Sequence, residues 1–148
     1  MGGMRYSYPA RLEPDEKGRL VVHFVDLPEA LTDGADETEA LAEAADCLSE
    51  ALAGRINRQE DIPAPSPLRR GLHAVEPEPT IALKVALHEA LRARGMTTAD
   101  LAQRLGIDER ETARLLDPRS RTRLTSLEAA LSALGYQIGI EVREKRLA

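Results

Sequence analysis

TTADLAQRLGIDERETARLL, residues 97–116, has the spacing of two short helices joined by a tight turn. Thr97 or Thr98 caps the first helix, Leu101, Ala102 and Leu105 give its apolar face, and Gly106 closes it. Ile107 follows as an apolar plug, and Asp108 with Glu111 three residues on has the spacing of a second cap. The second helix runs to about Leu116, where Asp117-Pro118 breaks it. Ala102 is small where the helices must cross, so the pattern predicts a helix-turn-helix. With Leu101, Leu105 and Leu115 inside, Glu109, Arg110, Ala113 and Arg114 face outward, as a helix entering a major groove requires. Arg119, Arg121 and Arg123 lie in the loop that follows and suit phosphates. Thr98, at the position where many such domains place a phosphate-binding Gln, completes the candidate DNA-binding set. Thr112 stands where Val or Ile is usual, and Asp108, Glu109 and Glu111 put negative charge at the front of the same helix.

Outward from this segment the second half continues as punctuated helices. Ile81 to Arg94 repeats leucine at 83, 87 and 91 and stops at Gly95; Leu124 to Leu134 supplies another helix ending at Gly135. The tail alternates as Tyr136, Ile138, Ile140 and Val142, which predicts a short C-terminal strand, and a lone strand needs a partner such as a second subunit.

The first half reads differently. RYSYPARL (5–12) and RLVVHFV (19–25) flank the turn-rich PDEKG (14–18), the signature of a hairpin. Leu20, Val22 and Phe24 alternate with Val21, His23 and Val25, and both faces are mostly apolar, which predicts a central strand with a half-buried His23. A third strand is expected around Ala30 to Thr32, ended by DGAD (33–36). A helix then starts at Asp36, with Glu39 at cap spacing, and runs through Leu41, Ala44, Ala45, Leu48, Ala51, Leu52 and Ile56; its opposite face carries Glu43, Asp46 and Glu50. Residues 57–79 are Pro-rich, and Gly71 to Val75 adds an edge strand. The fold class is therefore α+β: a small antiparallel sheet with one packed helix in residues 1–79, including the connection at 57–79, and an all-α helix-turn-helix domain with a short terminal strand in 80–148.

Charge divides at the same place. The chain has 148 residues and a net charge of −5. Residues 1–79 hold 8 basic and 16 acidic side chains, net −8, and residues 80–148 hold 12 and 9, net +3. An acidic module joined to a basic one suggests partners of opposite charge. No apolar run approaches the roughly 18 residues of a membrane span. One cysteine, Cys47, excludes an intrachain disulfide and a thiolate zinc site. The start, MGGMRYSYP, carries no apolar secretion segment, so a cytoplasmic protein is expected. His23, His73 and His88 lack metal-site spacing, no Gly-rich phosphate loop occurs, and aromatic content of 3% leaves no stacking platform for single strands. No cofactor and no metal are expected. Asp26, Asp33 and Asp36 are close in sequence, but turn and cap roles account for them better than a two-metal nuclease site does.

Nearly the whole chain resembles the HicB-type antitoxins of toxin-antitoxin pairs. The resemblance rests on DLPEALTDGADETEALAEA (26–44), IALKVALHEALRARGMTTADLAQRLG (81–106) and LLDPRSRTRLTSLEAALSALG (115–135). It implies an N-terminal module shaped like a fragment of a ribonuclease H fold that covers a small, basic, HicA-type mRNA-cleaving toxin. It also implies a C-terminal domain that binds the operon's promoter, and a chain that is not an enzyme. The −8 half complements such a toxin, with Asp33, Asp36, Glu43, Asp46 and Glu50 as candidate contacts. A homodimer or higher even-numbered oligomer is expected, giving two recognition helices one DNA turn apart. The alternative is a stand-alone helix-turn-helix regulator whose first module senses a ligand or dimerises. A neighbouring short reading frame for a basic protein with one catalytic His distinguishes the two.

Overall fold

The computed structural model describes residues 3–145. The opening run folds as a hairpin: β1 (Tyr8–Pro14) pairs antiparallel with β2 (Leu20–Phe24), Ala10 opposite Phe24 and Pro14 opposite Leu20. Asp15 shapes the turn, its carboxylate accepting from the backbone N–H of Lys17 at 2.8 Å and of Arg19 at 2.9 Å. β3 (Leu31–Gly34) lies outside β2 and β4 (His73–Val75) outside β1, both antiparallel, in the order β3-β2-β1-β4. The third strand thus runs through Asp33 and Gly34 instead of ending before them. Gly34 permits this, because a Cβ there would sit 2.3 Å from the backbone nitrogen of Ala40. Only glycine lets the strand end press so closely on the next helix.

That helix, α1 (Glu37–Asn57), is capped by Asp36, whose carboxylate accepts from the Glu39 N–H at 2.8 Å. Ala40, Ala44, Leu48, Leu52 and Ile56 form a core with Tyr8, Ala10, Val22 and Phe24 of the sheet. β2 is central in strand order, but only one of its faces is covered. Val22 and Phe24 are buried, whereas His23 is exposed and Val25 is 48% exposed. The expectation of a half-buried His23 is therefore corrected: a single helix covers one side of the sheet and leaves the other to water.

The Pro-rich connection is docked rather than free. The Tyr8 hydroxyl donates to the Pro63 carbonyl at 2.7 Å, and the Asp26 carboxylate accepts from the Ser66 N–H at 2.8 Å and from the Ser66 hydroxyl. His88 Nε2 lies 3.0 Å from the Glu60 carbonyl, and Arg92 donates to the Gln59 carbonyl at 3.1 Å.

Four helices follow: α2 (Pro79–Ala93), α3 (Thr98–Leu105), α4 (Glu109–Leu116) and α5 (Leu124–Ala133). Pro79 begins α2, where its missing N–H costs nothing. The helix serves two cores. Ile81 and Val85 belong to the sheet's core, while Ala86, Leu87, Ala90 and Leu91 pack with Leu101, Leu115, Leu127, Leu131 and Leu134. Charge changes near residue 79, but apolar packing continues across that point.

The tail does not form the expected strand. Among the described residues, 136–145 have no strand partner and remain irregular, since a lone strand leaves its backbone groups unpaired. Tyr136 and Ile138 pack on the second core, with the Arg94 guanidinium 5.5 Å from the Tyr136 ring centre. Ile140 and Val142 are 79% and 91% exposed. Among the described residues no helix is long and apolar enough to cross a membrane.

Candidate nucleic-acid interface and acidic face

The helix-turn-helix is built from local bonds that its sequence supplies. Thr97, not Thr98, caps α3: its hydroxyl accepts from the Asp100 N–H at 3.1 Å, and the Asp100 carboxylate accepts from the Thr97 N–H at 2.9 Å. Those bonds hold the Asp100 carboxyl below its ordinary value. Gly106 takes φ +68° at the end of α3, and Asp108 caps α4 by accepting from the Glu111 N–H at 2.7 Å. Leu101, Ala102 and Leu115 are buried as the crossing requires. Thr112 is fully buried at the apolar slot, which it fills because its hydroxyl donates to the Asp108 carbonyl at 2.9 Å.

Glu109, Arg110, Ala113 and Arg114 are exposed on α4, and Arg119, Arg121 and Arg123 are exposed in the loop that leads to α5. Asp117 shapes that loop, its carboxylate accepting from the Arg119 N–H at 2.9 Å and the Ser120 hydroxyl at 3.2 Å. Among the described residues, none of these five arginines has a carboxylate within 4.0 Å, whereas Arg19, Arg55 and Arg58 of the sheet module are all paired. Their charge is available to an external anion. A groove of about 450 Å³ joins Arg114, Arg121 and Arg123 to Leu105, Ile107 and Leu115, and Glu111 lines it too. Asp108 is engaged in the cap, while Glu109 and Glu111 are both exposed. Thr98 is half-buried in a crevice shared with His88, Ala113 and Leu116, which sets the start of α3 beside α4.

Sequence reasoning missed Lys84. It is fully buried on α2, and its ammonium donates to the Ser120 carbonyl at 2.7 Å, the Arg114 carbonyl at 3.2 Å and the Asp117 carbonyl. Burial pushes its pKa down from the ordinary lysine value, and the Asp117 charge opposes that shift. The signal was a lone cation between Leu83 and Val85, one turn from Ile81 and from His88 on an apolar helix face.

On α1, Glu43, Asp46 and Glu50 are spaced by three and four residues and form one exposed stripe. Among the described residues none has a basic partner within 4.0 Å. The other two acids are already occupied. Asp36 is the helix cap, and Asp33 accepts from Arg19 Nε at 3.0 Å and Nη2 at 3.4 Å. The hydrogen bond from Arg19 holds the Asp33 carboxyl below its ordinary value of 3.8. A depressed folded pKa gives a contribution that is present above the unfolded value and lost as pH falls through the folded one. Arg19→Gln is thus expected to raise the Asp33 titration midpoint, read from its side-chain carboxyl carbon shift; an unmoved midpoint would mean that the pair does not form in solution.

Beside the stripe is a surface that local periodicity does not reveal, the uncovered sheet face. Leu31, opposite His23, and Val25, two residues beyond it, share that face and are 59% and 48% exposed. Asp26, Asp33 and Asp36 each hold a different partner, and no group of three His, Cys, Asp or Glu side chains among the described residues is placed to hold a metal ion.

Two comparisons bear on these surfaces. Residues 7–86 match the family described as HicB_like antitoxin of bacterial toxin-antitoxin system, and residues 86–139 match the Cro/C1-type HTH DNA-binding domain. Among curated proteins, the chain is 36% identical to "Antitoxin HicB 1" of Photorhabdus laumondii, over 91% of this chain and 86% of that protein. It is also 36% identical to "Antitoxin HicB" of Escherichia coli over 90% of this chain and 96% of that one. A third relative, "Antitoxin HicB" of Pseudomonas fluorescens, is 29% identical over 95% and 97%.

Proposed function

The chain belongs to the HicB-like antitoxin family, and from that premise we propose that it neutralises a HicA-type mRNA-cleaving toxin and represses its own operon by binding promoter DNA. The observation that carries this reading is the pairing of charge. Among the described residues Glu43, Asp46 and Glu50 stand unpaired along α1, while Arg110, Arg114, Arg119, Arg121 and Arg123 stand unpaired on and beyond α4. A protein that binds RNA is basic, so the Glu43, Asp46 and Glu50 stripe attracts it, and the apolar Val25 and Leu31 face supplies area to desolvate. The neutralisation is by binding and needs no chemistry from this chain.

DNA binding uses the other module. Arg110 and Arg114 read base edges from the major groove, Glu109 accepts from an exocyclic amine, and Arg119, Arg121 and Arg123 hold phosphates. Two copies are needed to span two half-sites. The alternating tail supplies a pairing element for a second copy, because Ile140 and Val142 are exposed and not packed on either core among the described residues. The assembly works in the cytoplasm, where its RNA-directed partner and its promoter are found.

The test is growth. Co-expression of the chain with the small basic protein encoded beside it is expected to restore growth of cells arrested by that protein alone. Continued arrest with the chain folded and abundant would overturn the antitoxin reading and favour the stand-alone regulator.

A further inference from the structure

Among the described residues Lys84 is the single buried lysine or arginine, and burial of an ammonium is costly unless hydrogen bonds compensate it. Met or Leu would fill the same slot in α2 without that cost. What the ammonium adds is reach: its three bonds all end on the stretch from the last turn of α4 into the loop, at Arg114, Asp117 and Ser120. The first two carbonyls lie at the C-terminal end of α4, where a cation complements the helix dipole. The third lies in a loop that no helix or strand ladder holds.

That loop has an inside and an outside. Ser120 and Thr122 are half-buried, with the Thr122 hydroxyl donating to the Arg114 carbonyl at 3.4 Å, while Arg119, Arg121 and Arg123 between and around them are exposed. Pinning the Ser120 carbonyl inward fixes the alternation and turns the arginines out as a row. The anchor is itself rigid, since Ile81 and Val85 on either side of Lys84 are buried in the core of the sheet module. We infer that Lys84 is a positioning residue for DNA binding: from α2 it fixes the end of α4 and the arginine loop, so that Arg119, Arg121 and Arg123 meet the phosphates together while Arg114 faces the groove. This role rests on the promoter-binding reading proposed for the helix-turn-helix.

The experiment compares the full chain with Lys84→Met, Lys84→Gln and Lys84→Arg. The probes are a duplex of the region upstream of its own gene and a random duplex, with amide NMR spectra of each variant. Lys84→Met is expected to lower affinity for the upstream duplex at least about tenfold. It should also flatten the salt dependence on both duplexes, because about two or three phosphates are no longer neutralised and each carries a slope of roughly 0.9. Beyond the immediate neighbours of residue 84, amide shifts should be confined to residues 114–124, and Lys84→Arg, which keeps a cation at the C-terminal end of α4, should restore affinity to within about threefold of the original. Wild-type affinity and slope in Lys84→Met would overturn the inference, as would reduced affinity with an unchanged slope, failure of Lys84→Arg to restore binding, or shifts spread through both cores. If Lys84→Met does not fold, Lys84→Gln is judged by the same criteria; if neither folds, Lys84 is a folding residue and the inference falls. If the parent chain does not prefer the upstream duplex, the promoter reading fails, and the positioning role is decided by the amide shifts and the random-duplex slope.

Discussion

Replacing Arg110 and Arg114 together by alanine is expected to weaken binding of the promoter duplex roughly 100-fold and to level its preference among bases, since each arginine-to-base pairing is worth about 1–3 kcal/mol of discrimination. Both side chains are exposed and free of carboxylate partners among the described residues, so the fold should change by no more than about 0.5 kcal/mol. The loss is therefore one of recognition. The triple replacement of Arg119, Arg121 and Arg123 should behave differently: affinity falls on specific and random duplexes alike, and the slope of log affinity against log salt drops by about 2.7 for three phosphates released. Gel shifts unchanged in both sets would remove the DNA-binding role from these residues.

The second large effect is on the toxin side. Reversing charge at Glu43, Asp46 and Glu50 by lysine is expected to abolish rescue of growth and to lower toxin affinity by about 100-fold or more, because like charges facing across an interface cost several kcal/mol. All three are exposed and, among the described residues, unpaired, so α1 should persist and binding of the promoter duplex should be retained. Single alanine replacements should cost far less, since rim charges act more on association rate than on final affinity. Full rescue by the triple variant would move the toxin site off this helix face, and the uncovered sheet face around Val25 and Leu31 would be the place left to test.

What the sequence made legible was whatever a single element decides for itself. The hairpin, the Asp36 cap, the Gly106 turn and the two short helices around it each follow from residues a few positions apart, and the structure has them where the spacing puts them. The outward row Glu109, Arg110, Ala113 and Arg114 follows from the same periodicity. What depends on neighbours distant in sequence was not legible. His23 and Val25 read as a covered face because nothing local says that only one helix packs on the sheet. Asp33 read as a turn residue and a candidate toxin contact, because its partner Arg19 belongs to another part of the chain. The tail has a strand's alternation without a strand's partner. Lys84 was missed: it is a lone cation on an apolar face, and its meaning lies in carbonyls thirty and more residues away. Sharing of α2 between cores is likewise hidden, since charge and proline content change just before the helix while its apolar stripe continues through both.

In the proposed function one chain holds a basic toxin with its first module and promoter DNA with its second. Its most direct measurement is purification of the tagged chain from cells carrying its native operon, with the complex weighed by light scattering and then mixed with the upstream duplex. A small basic protein is expected to copurify in fixed ratio with an even number of copies of this chain, and the complex is expected to shift the duplex. Recovery of this chain alone from cells in which the neighbouring protein is present would contradict it.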